Sequence, residues 1–198
     1  VSLGNVTLAA EIAYDHETET FAIDTIRGES QDFGAVLGGA RIVLRGDMPW
    51  RASVSAGSLD FARAFAAIRP VLPGAYRTWT VQGQGAVEIG AEGRFADGQT
   101  SLDGTAKFSF TQGGFSSPDA TKAAQGVAGG LALKVRRISP DQKLRFSVRA
   151  DQRDGEYLWG TYYSNLAGHH SALVFDGEYV WDGEPRFELD GSMDFFQT

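Results

Sequence analysis

The fold is decided by one stretch, residues 79–95, which reads WTVQGQGAVEIGAEGRF. Every second residue in it is apolar or glycine, and almost all of the residues between are polar. Because successive side chains of a strand point to opposite faces, the pattern predicts one strand with an apolar and a wet face. At about 3.3 Å per residue it would extend over roughly 50 Å, whereas ordinary strands have about 5–6 residues. The predicted apolar row is Trp79, Val81, Gly83, Gly85, Val87, Ile89, Ala91, Gly93 and Phe95.

The dipeptide Asp97-Gly98 predicts a two-residue hairpin directly after this strand. A type I′ turn needs positive φ at both central positions, which aspartate and glycine tolerate. Folding the chain there brings the apolar faces of both arms to the same side, so turn and pattern agree on one register. The predicted pairs are Phe95–Thr100, Gly93–Leu102, Ala91–Gly104, Ile89–Ala106, Val87–Phe108, Gly85–Phe110 and, on the opposite face, Glu88–Lys107.

Composition indicates a folded, glycine-rich and acidic protein. The 198 residues include 25 glycines and no cysteine, 42% are hydrophobic, and the net charge is −7. Nucleic-acid binding needs a basic surface, so no nucleic-acid partner is expected. No run of about 20 apolar residues is present to form a membrane-spanning helix. The chain begins with Val1, which leads us to expect a processed protein or a piece of a longer one.

Further alternating stretches predict strands along most of the chain, near residues 6–14, 40–44, 50–54, 131–135 and 173–181. The dipeptide Asp154-Gly155 predicts a second hairpin that pairs Ala150 with Trp159. For the last hairpin, Asp176-Gly177 and Asp182-Gly183 are both candidates.

Two short helices interrupt this pattern. Phe61, Phe65, Ile68 and Leu72 have the spacing of a helical apolar stripe. Ser58 is the predicted N-cap, Asp60 falls in the first turn, and Pro70 and Pro73 end the helix. A second helix is predicted over 118–125, with Ser117 as its cap and Pro118 at the first helical position.

Residues with catalytic or metal-binding chemistry are sparse. His169 and His170 are adjacent, so on a strand they point to opposite faces and a solvated loop is favoured over a metal site. Asp151, Asp154 and Glu156 surround a turn without the spacing of a calcium loop. No G-x-S-x-G nucleophile motif is present. We therefore expect no enzyme activity, no catalytic or metal-binding residue, and no cofactor.

The aromatic run at 159–163 has two interpretations. Trp159, Thr161 and Tyr163 are predicted to share one strand face, where they would pack as core or line a cavity. The alternative is a platform on which a sugar ring stacks.

Three segments resemble the AsmA-like proteins of the bacterial envelope, a group that includes TamB-like and YdbH-like members. They are SLDFARAF at 58–65, RPVLP at 69–73 and WTVQGQGAV at 79–87. Residues 115–135 are similar to the glycine-rich passages of the same family. Together these segments cover about a third of the chain.

The resemblance implies an elongated sheet curled like a taco shell, with an apolar groove along it. It also implies a periplasmic or cell-envelope location. Such proteins are thought to conduct phospholipids between membranes or to support outer-membrane assembly. The family carries no catalytic motif, so no catalytic residue is transferred.

The sequence thus predicts a mainly β protein: one domain over 1–198, with a long, twisted antiparallel sheet curled around an apolar groove or core, and one or two short helices. We expect phospholipid or another acyl-chain ligand as partner, together with membrane or envelope proteins. The alternative is a β-sandwich binding module with a filled core and a protein or carbohydrate ligand. The predicted lipid-groove residues are Trp79, Val81, Val87, Ile89, Phe95, Leu102, Phe108 and Phe110.

Overall fold

The computed structural model describes residues 6–30, 34–96, 98–138, 143–180 and 186–197. Their strands form one large antiparallel sheet that is not closed, which confirms the predicted mainly β fold. The strands are β1 (Val6–Asp15), β2 (Thr20–Ser30), β3 (Gly34–Val43), β4 (Pro49–Asp60), β5 (Thr80–Ala96), β6 (Gln99–Ser116), β7 (Lys122–Ile138), β8 (Lys143–Trp159), β9 (Tyr162–Asn165), β10 (His169–Val180) and β11 (Arg186–Gln197).

Strands β1 to β8 lie side by side in chain order, followed by β10 and β11. The short strand β9 pairs with the end of β8. The long strands β5 to β8 occupy the middle of the sheet and have 17 or 18 residues each. At about 3.3 Å per residue, they give the middle of the sheet its length along the strand direction.

The hairpin between β5 and β6 has the predicted register. All seven predicted pairs are cross-strand partners, including Glu88 with Lys107 on the opposite face. Gly98 has a φ of 73°, the positive value that the turn requires. Asp97 lies outside the described residues. Alternation in both arms and the glycine at the turn therefore specify one register.

A bulge bends this hairpin near its far end. The register shifts between Gln82 and Gln84, where Gly83 has a φ of 118° and Gln112 on β6 has a φ of 51°. Gly83 therefore stands in the predicted apolar row because the chain bends there, as glycines inside strands often indicate.

The first predicted helix is present as α1 (Phe61–Ile68), but it begins two residues later than expected. Asp60, not Ser58, is the N-cap: its Oδ1 accepts a hydrogen bond from the Arg63 backbone N–H at 3.1 Å. Ser58 belongs to β4, which continues to the cap itself. The chain then passes through two 3₁₀ turns, Arg69–Val71 and Gly74–Tyr76, on its way to β5.

The second predicted helix, at 118–125, is wrong. The chain forms a turn after Ser117 and enters β7 at Lys122. The buried Ser117 hydroxyl donates to Asp119 Oδ1 at 2.6 Å and accepts from the Lys122 backbone N–H at 3.0 Å. The serine therefore closes a turn between two strands, a local bonding pattern that competes with helix capping.

The hairpin predicted at Asp154-Gly155 is also wrong, because β8 runs through it to Trp159. Gly155 has a φ of 129° and lies against Val127 of β7, where the register shifts. The dipeptide thus marks a bulge. The reversal comes later, at Gly160, whose φ is 64°.

The last hairpin is resolved in part. Asp176-Gly177 lies inside β10, so it is not the turn. The register pairs Val180 with Arg186 and places the connection at 181–185. Asp182-Gly183, the other candidate, lies outside the described residues.

Among the residues whose side-chain burial is described, no hydrophobic residue larger than valine is buried. The buried hydrophobic residues are Ala56, Ala124, Ala172 and Val180. The described strands belong to one sheet, and none of them forms a second layer across its face, as a filled β-sandwich requires. Stability in this part of the chain depends on cross-strand pairs and backbone hydrogen bonds more than on a central core.

Replacing Gly98 with valine is expected to destabilise the protein by about 1–2 kcal/mol, because a β-branched residue tolerates positive φ poorly. Nothing lies within 4 Å of a Cβ built there, so the cost comes from backbone strain alone. Urea unfolding measures it. Gly98→Asn is the control, since asparagine tolerates this conformation. Equal stability of the valine variant and the wild type would contradict the turn assignment.

Ser117→Ala is expected to raise the pKa of Asp119. The Ser117 hydroxyl, followed by the backbone and hydroxyl of Thr121, holds this carboxyl's pKa below its ordinary value. Since the folded-state pKa lies below the unfolded one, the stabilisation is full at neutral pH and is lost as pH falls through the folded-state pKa. Carbon-13 NMR titration checks the shift, with Ser109→Ala as control. An unchanged Asp119 pKa in Ser117→Ala would contradict this turn.

Candidate functional site: an open apolar face

One side of the sheet is apolar from edge to edge; we call it the apolar face. Cross-strand partners have their side chains on the same side, so rows of residues can be followed from β1 to β11. One row is Ala10, Ile26, Gly38, Val54, Ile89, Ala106, Leu133, Val148, Phe175 and Gly191. The neighbouring row is Leu8, Gly28, Val36, Ala56, Val87, Phe108, Leu131, Ala150 and Leu173. Neither row contains an ionisable side chain.

The apolar face is accessible to solvent across its width. Leu8 is 70% exposed at one edge, Ile89 is 50% exposed in the middle, and Leu189 is 53% exposed on the last strand. Val54, beside Ile89, is 46% exposed. Soluble monomers rarely expose continuous apolar surface of more than a few hundred Å², so such a face indicates a binding surface.

All eight predicted lipid-groove residues lie on this side of the hairpin formed by β5 and β6. Val87, Ile89, Leu102, Phe108 and Phe110 fall in the ladder that the register defines. Near the turn, the Phe95 ring stacks against Trp50 of β4, with 6.3 Å between centroids. Val81 and Trp79 lie at the far end, beyond the bulge.

The alternation of side chains along β6 shows which face of the sheet Val81 and Trp79 lie on at the far end of the hairpin. A Cβ built on Gly113 would lie 3.7 Å from the Phe110 ring, so Gly113 is on the apolar side. A Cβ on Gly114 would instead meet Gln82, and Phe115 therefore points back to the apolar side. Val81 pairs with Phe115, and the Trp79 ring stacks on the Phe115 ring with centroids 5.4 Å apart.

Helix α1 lies over part of the apolar face. The Phe61 and Phe108 rings are 5.4 Å apart, and Phe108 is 5.7 Å from Phe110. A Cβ at Gly85 would lie 2.7 Å from Phe61 Cε1, so glycine is needed where the helix approaches the sheet. The sequence predicted this helix but carried no signal for the position at which it packs.

Glycines on the apolar face do not leave open space. An aromatic ring from a neighbouring element lies over each of several glycines; a Cβ would collide with the ring at Gly85, Gly177 and Gly191 and would crowd it at the other two. The glycine and ring combinations are Gly85 with Phe61, Gly93 with Trp50, Gly129 with Phe110, Gly177 with Phe146, and Gly191 with Phe175. The rings thus fill the sites that glycine opens, and the surface left for a ligand is the outer side of this aromatic and aliphatic layer.

The opposite face of the sheet is charged. Along its central row, two basic residues are followed by two acidic ones, and this order repeats. Most residues of the row therefore have one neighbour of opposite charge. Arg136 lies 3.6 Å from Asp103, and Glu178 accepts from Lys143 at 2.9 Å and Arg145 at 3.0 Å. These bonds, Lys143 first, hold the pKa of Glu178 below its ordinary value. The row is Arg41, Arg51, Glu92, Asp103, Arg136, Arg145, Glu178 and Glu188.

The histidines and carboxylates considered above do not converge. His169 and His170 begin β10, on successive positions of the strand. Asp151 bonds Arg153, whereas Glu156 accepts from Gln125 of β7. Within the described ranges, no group of three or more potential metal ligands is gathered.

The aromatic run at 159–163 is split between the two faces, so the prediction of one shared face is wrong. The reversal at Gly160 pairs Trp159 with Tyr162, and Tyr163 pairs with Leu158 on the other side. Lys122 Nζ lies 4.8 Å from the Trp159 ring centroid. Tyr163, Tyr157 and Glu156 line a cavity of about 420 Å³ at this end of the sheet. Burial raises the pKa of Tyr157.

Comparison of the chain with protein-family models, curated proteins and solved structures gives no match. In the described part of the chain, no helix has the length and apolar character needed to cross a membrane. Evidence for function therefore comes from the apolar face itself.

Gly177→Ala is expected to destabilise the protein by about 1–3 kcal/mol, because the new methyl group overpacks the Phe146 ring. A Cβ there would lie 2.7 Å from Phe146 Cε1, and the three atoms nearest to it all belong to the Phe146 ring. Urea unfolding in a double-mutant cycle checks this: in a Phe146→Ala background, Gly177→Ala should cost much less. Gly57→Ala, where nothing lies within 4 Å, is the matched control. Equal costs in both backgrounds would contradict this packing.

Proposed function

We propose that the apolar face binds the acyl chains of phospholipids or related lipids. In this proposal the protein is a non-catalytic component of the bacterial envelope that carries lipid between membranes or supports outer-membrane assembly. One observation carries it: two uncharged rows cross the sheet, and several of their large side chains remain exposed, namely Leu8, Val54, Ile89 and Leu131.

Acyl chains suit the apolar face for energetic reasons. Each methylene removed from water contributes about 0.8 kcal/mol, and the exposed side chains of Ile89, Val54 and Leu131 offer apolar contacts. Within the sheet, strand backbones bond to their neighbours, so an acyl chain need not compete with hydrogen bonds. A polar ligand would find no ionisable partner in either central row.

The charge of the protein favours a role in lipid transfer over permanent attachment of the protein to a membrane surface. The net charge is −7, and the face opposite the apolar one carries acidic and basic side chains together. A protein that docks on anionic headgroups normally presents a cluster of basic residues. An acidic protein with an exposed apolar face is better suited to holding lipid tails away from the bilayer surface.

The envelope location rests on the resemblance of segments 58–65, 69–73 and 79–87 to AsmA-like proteins. The same resemblance favours lipid transport among the possible uses of an apolar sheet. Fractionation of the native host, followed by immunodetection of the protein, tests the location. Recovery from the envelope fraction would support the proposal, and recovery from the cytosol would contradict it.

Ile89→Glu is expected to abolish lipid binding while the protein stays folded. Ile89 is half exposed, so a carboxylate there remains hydrated in the free protein but would be desolvated beneath an acyl chain. Binding is measured with a fluorescently labelled phosphatidylethanolamine, and folding by circular dichroism. Gln84→Glu, on the opposite face, introduces the same charge and should bind like the wild type.

Photocrosslinking separates a ligand surface from a surface that contacts only protein. A photoreactive amino acid at Ile89 is illuminated in the presence of phosphatidylethanolamine and phosphatidylglycerol vesicles, and adducts are identified by mass spectrometry. The same group at Glu88, on the charged face, is the control. We expect lipid adducts at position 89 and few at 88. Adducts to protein alone, with lipid in excess, would refute the proposal.

A further inference from the structure

The cavity of about 420 Å³ lies at the end of the long strands remote from Gly98, on the face opposite the apolar one. Ser116 follows Phe115, which points to the apolar side, so Ser116 and its cross-strand partners point the other way. In this row the small residues Ser116 and Ala123 lie between larger ones, which leaves a hollow. Its volume is within the range of small-molecule sites, roughly 300–1,000 Å³. The row is Thr80, Ser116, Ala123, Leu158 and Tyr163.

Three planar polar side chains are bonded to one another in the neighbouring row, two residues along the strands. Glu156 of β8 is held from both sides: Gln125 Nε2 of β7 donates to its Oε2 at 2.8 Å, and Asn165 Nδ2 of β9 donates to its Oε1 at 3.3 Å. Asn165 is oriented in turn by the Ala167 backbone N–H, which donates to its Oδ1 at 2.8 Å. The carboxylate oxygens and the Gln125 amide keep further hydrogen-bonding capacity. The group is therefore held in place and can bond a ligand.

Gln82 and Tyr163 border the cavity on different strands. Gln82 of β5 leans over Gly114, since a Cβ built on that glycine would lie 3.0 Å from Gln82 Nε2. Tyr163 of β9 is 58% exposed, so other side chains leave most of its surface uncovered. One aromatic ring and several polar groups, of which Glu156 alone is charged, thus surround the same space.

The lining disfavours several other classes of ligand. None of the described residues that line the cavity is basic, and Glu156 would repel a phosphate or another anion. Lys122 points to the other face, where it lies over the Trp159 ring. Organic cations are usually held by several rings, whereas among the described lining residues Tyr163 alone has its ring on this side. An acyl chain would desolvate the Glu156 carboxylate.

We propose that this cavity binds a neutral carbohydrate, with one pyranose ring against Tyr163. The C–H face of a sugar can pack on the ring, whose face carries partial negative charge. Sugar hydroxyls both donate and accept, and so match the side chains of Gln82, Gln125 and Glu156. Because the cavity and the apolar face lie on opposite sides of the sheet, this site goes beyond the proposed function and does not depend on it.

Nitrogen-15 NMR of the full chain tests the ligand class. Glucose, N-acetylglucosamine and maltotriose are added separately at tens of millimolar. At least one of them should shift the amide signals of Gln125, Glu156 and Tyr163 in a saturable manner. Glucose 6-phosphate and ethanolamine are the charged controls, and both should bind more weakly than the best saccharide. The proposal is overturned if no saccharide shifts these signals, or if a charged control binds more tightly than every saccharide.

Two adjacent tyrosines provide a matched pair of variants. Tyr163→Ala removes the ring from the cavity and should weaken saccharide binding several-fold. Tyr162→Ala removes a ring of similar exposure, 67%, from the other face and should bind saccharide like the wild type. Circular dichroism verifies folding, and binding of phosphatidylethanolamine should be unchanged in Tyr163→Ala. Equal saccharide affinity of Tyr163→Ala and the wild type, or an equal loss in both variants, would overturn the proposed site.

Discussion

The structure depends on the cross-strand register of a sheet that has no second layer in the part described. Because side chains alternate with period two, a slip of one residue would turn an entire strand's apolar set toward the charged face. The hairpin of β5 and β6 holds this register at the centre through matched pairs such as Ile89 with Ala106. Each neighbouring strand inherits it, so two uncharged rows extend to both edges.

Side-chain packing within the single sheet layer supplies part of the stabilisation that a hydrophobic core normally provides. The rings of Phe61, Trp50 and Phe146 lie over glycines of adjacent strands, at sites a methyl group would block. This arrangement buries ring surface without a second sheet, since the glycine backbone becomes the contact surface. It also leaves side chains such as Ile89 exposed on the outside of the layer, where a lipid tail can reach them.

The charged face contains both attractive and repulsive cross-strand pairs. Alternating pairs of like charges place Asp103 beside Arg136 and Arg145 beside Glu178. Exposed pairs of this kind contribute little individually. The same register also places like charges directly opposite each other, as in Glu92 with Asp103 and Arg136 with Arg145, so the charges do not select it. The apolar face therefore selects the pairing, whereas the charged face is hydrated and leaves the apolar face as the side available to a lipid ligand.

Long periodic segments with a local turn signal were predictable from sequence. Most of the strand predicted at 79–95 and its register with β6 as far as the bulge at Gly83 follow from alternation and Gly98. The helix near 61–68 was also predictable, although its cap moved from Ser58 to Asp60 because β4 extends further than its weak pattern indicated.

Other sequence patterns gave wrong predictions, because the same residue types occur in more than one local structure. An aspartate followed by glycine serves a hairpin at 97–98 but a bulge at 154–155, where Val127 of the next strand decides the outcome. Ser117 has the chemistry of a helix cap, yet its hydroxyl bonds Asp119 and Lys122 in a turn. The residues alone permit more than one conformation in each case. A contact distant in sequence determines the conformation at Gly155, and a competing local hydrogen bond determines it at Ser117.

The sequence by itself determined the two-faced strands and the central register, because period two and a glycine at the turn are local properties. Only the tertiary structure decided that the apolar face stays open. Whether Ile89 meets a second sheet, a helix or solvent depends on where every other strand pairs, and all the described strands joined one sheet. It also decided that rings fill the glycine sites, since the collision of Phe146 with a Cβ at Gly177 exists only once β8 and β10 are neighbours.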